Sequence, residues 1–135
     1  MNLFGSLDIS SSALKAERMR AEVVANNMAN AETTRTPDGG PYKRKMVVFA
    51  SGNFASRLEG AGVKISEVVE DKSDPIRRFE PNHPDADKQG YVAYPDINPI
   101  EEMTDLMSAE RAYELNASAV QATKSMIQQS LELLK

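Results

Sequence analysis

The sequence has no cysteine, no tryptophan and a single histidine among its 135 residues. Without cysteine there is no disulfide framework, no thiolate nucleophile and no cysteine-bound zinc. Long apolar runs are missing too. The longest is the five residues Met46 to Ala50, far short of the roughly 20 needed to cross a bilayer as a helix. The first basic residue is Lys15, and Asp8 interrupts the early apolar residues, which is not the pattern of a cleavable secretory signal. Basic residues are in deficit, 16 against 20 acidic, for a net charge of −4. General nucleic-acid binding needs the reverse. Aliphatic bulk is scarce: Leu, Ile, Val and Phe make up about 21% of the chain, close to the roughly 20% below which chains tend to be disordered. The 16 alanines favour helix but bury little area, so the chain is expected to need a partner to order fully.

What is present is unevenly distributed. Of the 14 glycines and prolines, 13 lie between Pro37 and Pro99, the exception being Gly5. Ser6 to Thr36 and Ile100 to Lys135 contain neither. Because these residues are the strongest helix breakers, the chain divides into an N-terminal helical segment (1–36), a β- and loop-rich middle (37–97) and a C-terminal helix (98–135). Asn98 can cap that last helix, Pro99 suits its first position, and Glu101 sits where a capping box places a carboxylate. Glu102 and Asp105 add negative charge near the positive end of the dipole. Leu106, Tyr113, Val120, Ile127 and Leu134 recur every seven residues. The companion row, Met103, Glu110, Ala117, Lys124 and Leu131, is poorer, so an isolated strong coiled coil is not expected. In the N-terminal segment Leu7, Leu14, Ala21 and Met28 repeat the theme, with Leu3, Ser10, Glu17, Val24 and Ala31 as the second row. Two such narrow stripes can cover each other as an antiparallel pair. They leave long faces rich in Ala, Ser, Asn and Gln that suit packing against neighbours.

In the middle, Tyr42 to Ala50, Gly62 to Asp71, Ile76 to Glu80 and Gly90 to Tyr94 carry the β-branched and aromatic residues of strands. Thr36 to Pro41 is a turn, and Pro81 to Asp87 a proline-punctuated loop. The fold class is therefore α+β: long terminal helices forming an antiparallel, coiled-coil-like pair, with a small irregular β-rich middle.

Chemistry has little to stand on. His83, Asp85 and Asp87 are close in sequence, but a metal site needs a full ligand set and a supporting shell, and a polar turn explains them better. Asp71 and Asp74 lack the glycine and distal glutamate of a calcium loop. There is no phosphate-binding glycine loop and no nucleophile elbow, and a lone histidine in a proline-rich loop is a poor general base. Catalytic, metal and cofactor residues are all expected to be absent. Glu101 and Glu102 face different ways on the helix and read as capping residues, Lys43-Arg44-Lys45 and Arg77-Arg78 as edge-strand charge, and Met103 and Met107 as helix packing. The stretch Ala25-Asn26-Asn27-Met28-Ala29-Asn30-Ala31 is less easily dismissed. Three asparagines in five residues are unusual near a helix end. Asn30 can serve as a C-terminal cap, and Asn26 and Asn27 can bond across packed helices. Composition leaves capping and interhelical packing equally open.

That asparagine-rich stretch, following an amphipathic helix, resembles the signature of the bacterial flagellar axial proteins, the rod, hook and hook-associated subunits. Thr33 to Lys45, Asn82 to Asp87 with Gly90-Tyr91-Val92, Asn98 to Met103, and Ser108 to Glu114 resemble, in order, the further motifs of the proximal-rod members. The resemblance covers essentially the whole chain. It implies a non-enzymatic subunit whose terminal helices form a D0-type pair in the wall of a tubular polymer. It further implies assembly with other rod subunits and the rod-to-ring junction protein, and passage through the flagellar type III export apparatus without a cleaved signal. The implied location is the rod of the basal body, where it crosses the periplasm. The residues expected at assembly interfaces are Leu7, Leu14, Ala21, Asn26, Asn27, Met28, Asn30, Leu106, Tyr113, Val120, Ile127 and Leu134. The competing reading from the residues alone is a soluble helical adaptor that binds a partner through one amphipathic helix.

Overall fold

The computed structural model describes residues 3–52 and 62–133; Leu134 lies outside them. The order of elements is α1 (Leu3–Ala29), β1 (Lys45–Ser51), β2 (Val63–Glu70), β3 (Ile76–Phe79), β4 (Tyr91–Tyr94) and α2 (Pro99–Glu132). The α+β class and all four strand positions agree with the sequence reading. At about 1.5 Å per residue, the 34 residues of α2 extend roughly 50 Å, well beyond what one small core can cover.

Helix α2 starts at the cap its sequence predicts; among the described residues the capping-box bond expected of Glu101 is absent. Asn98 is extended and its side chain accepts from the Ile100 N–H at 3.1 Å, with Pro99 in the first turn. The helix α1 stops sooner than the breaker-free segment implies, at Ala29, and a turn follows. Asn30 does not end it by a left-handed cap, since no residue other than glycine has positive φ among the described residues. Instead its side-chain amide donates to the Asn26 carbonyl at 2.8 Å, and its oxygen accepts from the Thr33 hydroxyl at 3.1 Å.

The two helices pack along each other in opposite directions. Asn27 meets Glu102, and seven residues back along α1 Arg20 meets Asp105. The packing rows differ from the expected ones. In α2 the best-buried row is Glu102, Ala109 and Thr123, with Asn116 half-buried between them. Leu106, Val120 and Ile127 flank it half-buried, whereas Tyr113 is 43% exposed. The expected companion row is displaced outward, with Met103 and Leu131 exposed at 53% and 59%. The reason is geometric. The buried row keeps the same seven-residue period and lies one residue away, about 100° around the helix, because period alone does not say from which side a partner approaches. Small residues decide where the backbones come closest: Ala109 and Ala16 are 0% and 2% exposed. In α1 the expected stripe Leu7, Leu14, Ala21 and Met28 is half-buried throughout, and the buried positions are Ala16, Val23, Val24 and Asn27. Burial spreads around α1 because it has two neighbours, α2 and the β1–β2 hairpin.

Strands β1 and β2 are antiparallel, with Lys45 opposite Glu70 and Ser51 opposite Val63 and a bulge at Val48/Phe49. The hairpin runs back along α1, fixed at one end by Asn27 and at the other by Ser12, whose hydroxyl accepts from the Val63 N–H at 2.9 Å. The second hairpin pairs Ile76 with Tyr94 and Phe79 with Tyr91. It packs on neither helix. Its inner face, with Val92 and Tyr94 buried, continues into buried Pro95 and Ile97 as a small satellite core. A lone two-stranded hairpin is marginal in water, so both hairpins depend on these supports.

Candidate functional site

One place in the molecule gathers α1, α2 and the entry to β1 around buried polar groups. Asn27 is 1% exposed and uses the full capacity of its amide. Its nitrogen donates to the Lys45 carbonyl at 2.8 Å and to Glu102 Oε2 at 3.0 Å. Its oxygen accepts from the Lys45 N–H at 2.9 Å and the Tyr42 hydroxyl at 3.1 Å. Toward Lys45 the side chain thus behaves as an extra strand residue, exchanging both bonds of an antiparallel pair and starting the β1 ladder from the helix.

Glu102 is also 1% exposed, and its other oxygen takes the Arg44 Nε–H. Arg44 reaches Asp105 at 3.9 Å, and Asp105 holds Arg20 at 3.2 Å, which in turn lies 3.5 Å from Glu17. Two arginines from different segments therefore balance two carboxylates from the first turns of α2, where the helix dipole already favours negative charge. Burial pushes the Tyr42 phenol above its ordinary pKa, and the charges of Glu102 and Glu70 push it the same way. Each charged member of this network is paired with another. Its geometry fixes the angle at which the β middle leaves the helix pair.

The asparagines divide by role. Asn27 bonds across helices, Asn26 is exposed and donates back to the Glu22 carbonyl of its own helix at 2.9 Å, and Asn30 builds the turn. Glu102 does stand in the first turn of α2, as its sequence position implies, but it is buried, and Arg44, expected as edge-strand charge, is its half-buried partner. The available signal was the row Glu102, Ala109, Asn116 and Thr123, in which a carboxylate heads a line of small residues. The His83 loop is a polar turn: His83 Nδ1 accepts from the Asp85 N–H at 3.1 Å, and Asp85 binds the Thr34 hydroxyl at 2.8 Å and Arg35 at 2.6 Å. Asp87 accepts from the Tyr91 and Gln89 N–H groups, and these bonds hold its carboxyl below the usual carboxylate range. The loop thereby ties the β3–β4 hairpin to the turn after α1.

Sequence comparison gives this arrangement a family. Residues 7–35, α1 and its exit turn, match the family model described as flagella basal body rod protein. Residues 88–133, β4 through α2, match the C-terminal model of the flagellar basal body rod FlgEFG proteins. Over full length, the chain is 43% identical to the flagellar basal-body rod protein FlgC of Bacillus subtilis (strain 168), covering 100% of both chains. The chain belongs to the FlgC family of flagellar basal-body rod proteins. The FlgC of Borreliella burgdorferi is 39% identical over 100% of this chain and 99% of its own. That of Escherichia coli O157:H7 is 40% identical over 98% of each. The junction uses residues from both family-matched segments, Asn27 from one and Glu102 from the other, and joins them through Tyr42, Arg44 and Lys45 of the stretch between.

Proposed function

We propose that this chain is a structural subunit of the proximal rod of the bacterial flagellar basal body, polymerising with other rod components into the shaft that serves motility. The observation that carries the reading is likeness across the entire length to relatives named as FlgC rod proteins. The relatives are structural proteins, and nothing in the junction offers chemistry beyond holding segments together. The terminal helices supply the inner-wall pair, packed in coiled-coil fashion, and Leu7, Leu14, Ala21, Met28, Leu106, Tyr113, Val120 and Ile127 lie on or beside its seams. A second apolar row on α2, with Leu115 72% and Met126 47% exposed and Ala119 and Ala122 between them, is spaced as a seam for a neighbouring helix. In this reading the chain leaves the cytoplasm through the flagellar export apparatus without a cleaved signal. It lies in the rod across the periplasm and meets other rod subunits and the rod-to-ring junction protein.

The test is electron microscopy of isolated basal bodies with this chain labelled, alongside a Val120→Asp variant. Val120 is half-buried on the helix-pair flank, and desolvating a carboxylate there without a partner costs several kcal/mol at every copy. The label is expected in the rod, and Val120→Asp is expected to abolish rod assembly and motility while the chain is still synthesised. Basal bodies of normal appearance without the label would refute the assignment, and an adaptor would retain partner binding on one helix alone.

A further inference from the structure

Two surfaces left uncovered within the chain complement each other. The first is a groove between α1 and α2 with a cavity of about 380 Å³. Ala21, Ala109 and Tyr113 line it together with Glu17, Arg18, Glu110 and Glu114; Ala109 is fully buried, whereas Glu110 and Glu114 are exposed. The one cation of this lining, Arg18, is bound to Glu22 at 3.0 Å, which leaves three carboxylates against it in the groove. Glu110 and Glu114 have no ion-pair partner among the described residues. One oxygen of Glu17 is buried without a hydrogen bond, and Arg20 stands 3.5 Å from it. The groove is therefore apolar at depth and negative at its mouth.

The second surface is the outer face of the β3–β4 hairpin. Phe79 is 64% exposed and Tyr91 40%. Their rings stand edge to face at 5.3 Å, and strand alternation puts Arg77 on the same face. This face is aromatic with a cation beside it, the chemistry enriched at the energetic centres of protein interfaces. The hairpin touches neither helix. It is held to the turn beyond the end of α1 through Asp85, Thr34 and Arg35, whereas the groove lies further back along α1, at Glu17 to Ala21.

We propose that the Phe79–Tyr91 face of one copy docks into the α1–α2 groove of a second copy of this chain, with Arg77 against Glu110 and Glu114. The argument for a second copy is this charge and polarity complementarity between two surfaces of one sequence. Because the two surfaces differ, the contact is head-to-tail, and each copy has one of each to offer, so the contact propagates rather than closing as a two-fold dimer. The inference rests on the rod-subunit reading and adds to it a direct contact between like subunits.

The absence of native cysteine makes the test clean. The double variant Arg77→Cys/Glu114→Cys, in the full-length chain, is assembled in cells, and the isolated basal bodies are oxidised and run without reductant. A ladder of dimer, trimer and higher species is expected, with each single-cysteine variant remaining monomeric. A dimer from either single variant would mark a two-fold contact and overturn the proposal, as would a crosslink only to a different rod protein. A second arm needs no cysteine: Glu110→Lys/Glu114→Lys and Arg77→Glu should each reduce swimming at least tenfold, and combining them should restore at least half of it. Labelled wild-type chain in basal bodies, with neither ladder nor rescue, sinks the docking alone. Its absence from basal bodies sinks the rod reading instead.

Discussion

Arg44→Met is the sharpest perturbation of the junction. Glu102 is 1% exposed and Arg44 23%, so the variant leaves a carboxylate out of water with one remaining hydrogen bond, from Asn27 at 3.0 Å. Removing one partner of a buried pair generally costs about 3–5 kcal/mol. Water can enter where the partly exposed guanidinium was, so the low end applies: about 3 kcal/mol, roughly a hundredfold in the folding equilibrium. Glu102→Leu strands the cation instead, but Arg44 keeps Asp105 at 3.9 Å and reaches solvent, so about 1–2 kcal/mol is expected. The double variant has no stranded charge at this position, and Asn27 keeps three of its four bonds. It should lie within about 1 kcal/mol of the parent, giving a coupling energy of about 3 kcal/mol. Urea unfolding of the full chain, followed by circular dichroism and compared at equal m-values, measures all four corners of the cycle. An Arg44→Met variant within about 0.5 kcal/mol of the parent, or a strictly additive cycle, would refute the buried pair as the organiser of the junction.

Three further outcomes are expected. Asn27→Asp replaces a donor with an oxygen facing the Lys45 carbonyl and Glu102 and should cost at least about 3 kcal/mol; Asn26→Ala, which removes only a back-bond to its own helix, should stay within about 0.5 kcal/mol by the same urea assay. Gly90 has φ +84°, and a Cβ there would stand 2.9 Å from the Phe79 ring and 3.2 Å from Pro81, so Gly90→Ala should cost about 1–3 kcal/mol and remove the β3–β4 cross-strand contacts in NMR spectra without loss of helix. For Asp87, the Tyr91 N–H bond is the largest cause of its lowered pKa; the folded loop therefore binds fewer protons, and this support is present above the ordinary value of 3.8 and is lost as pH falls through the lower folded value. The protection factors of the Tyr91 and Gln89 amides, each taken against intrinsic exchange at the same pH, should fall as pH drops below about 5, and Asp87→Asn should flatten that dependence.

Much of the fold was legible because it rests on local chemistry. The glycine and proline distribution separates helices from middle, Asn98-Pro99 opens α2 by satisfying and omitting backbone donors, and β-branched and aromatic runs place all four strands within a few residues. The loop after β3 was legible for the same reason, since Asp85 and Asp87 use short side chains to bind nearby backbone and neighbouring turns. The likeness to flagellar rod proteins also lay in contiguous motifs, which comparison over the whole length bears out.

The packing rows and the junction were not legible, and the reason is their range. Asn27 and Glu102 are 75 residues apart, and Arg44 and Glu102 are 58. In sequence each is one polar residue among similar neighbours, with Asn26 beside one, Glu101 beside another and Lys43 and Lys45 around the third. Heptad spacing located the helices but placed the second α2 row one residue away from the buried one, because it measures period and not the direction a partner approaches from. Composition and local propensity determined which segments are helix, strand and turn. Only the tertiary structure decided which face of each helix is inner and which of several equivalent charges is buried, because burial is a property of the neighbour brought there by the fold, and the stabilisation of a buried polar group depends on that neighbour alone.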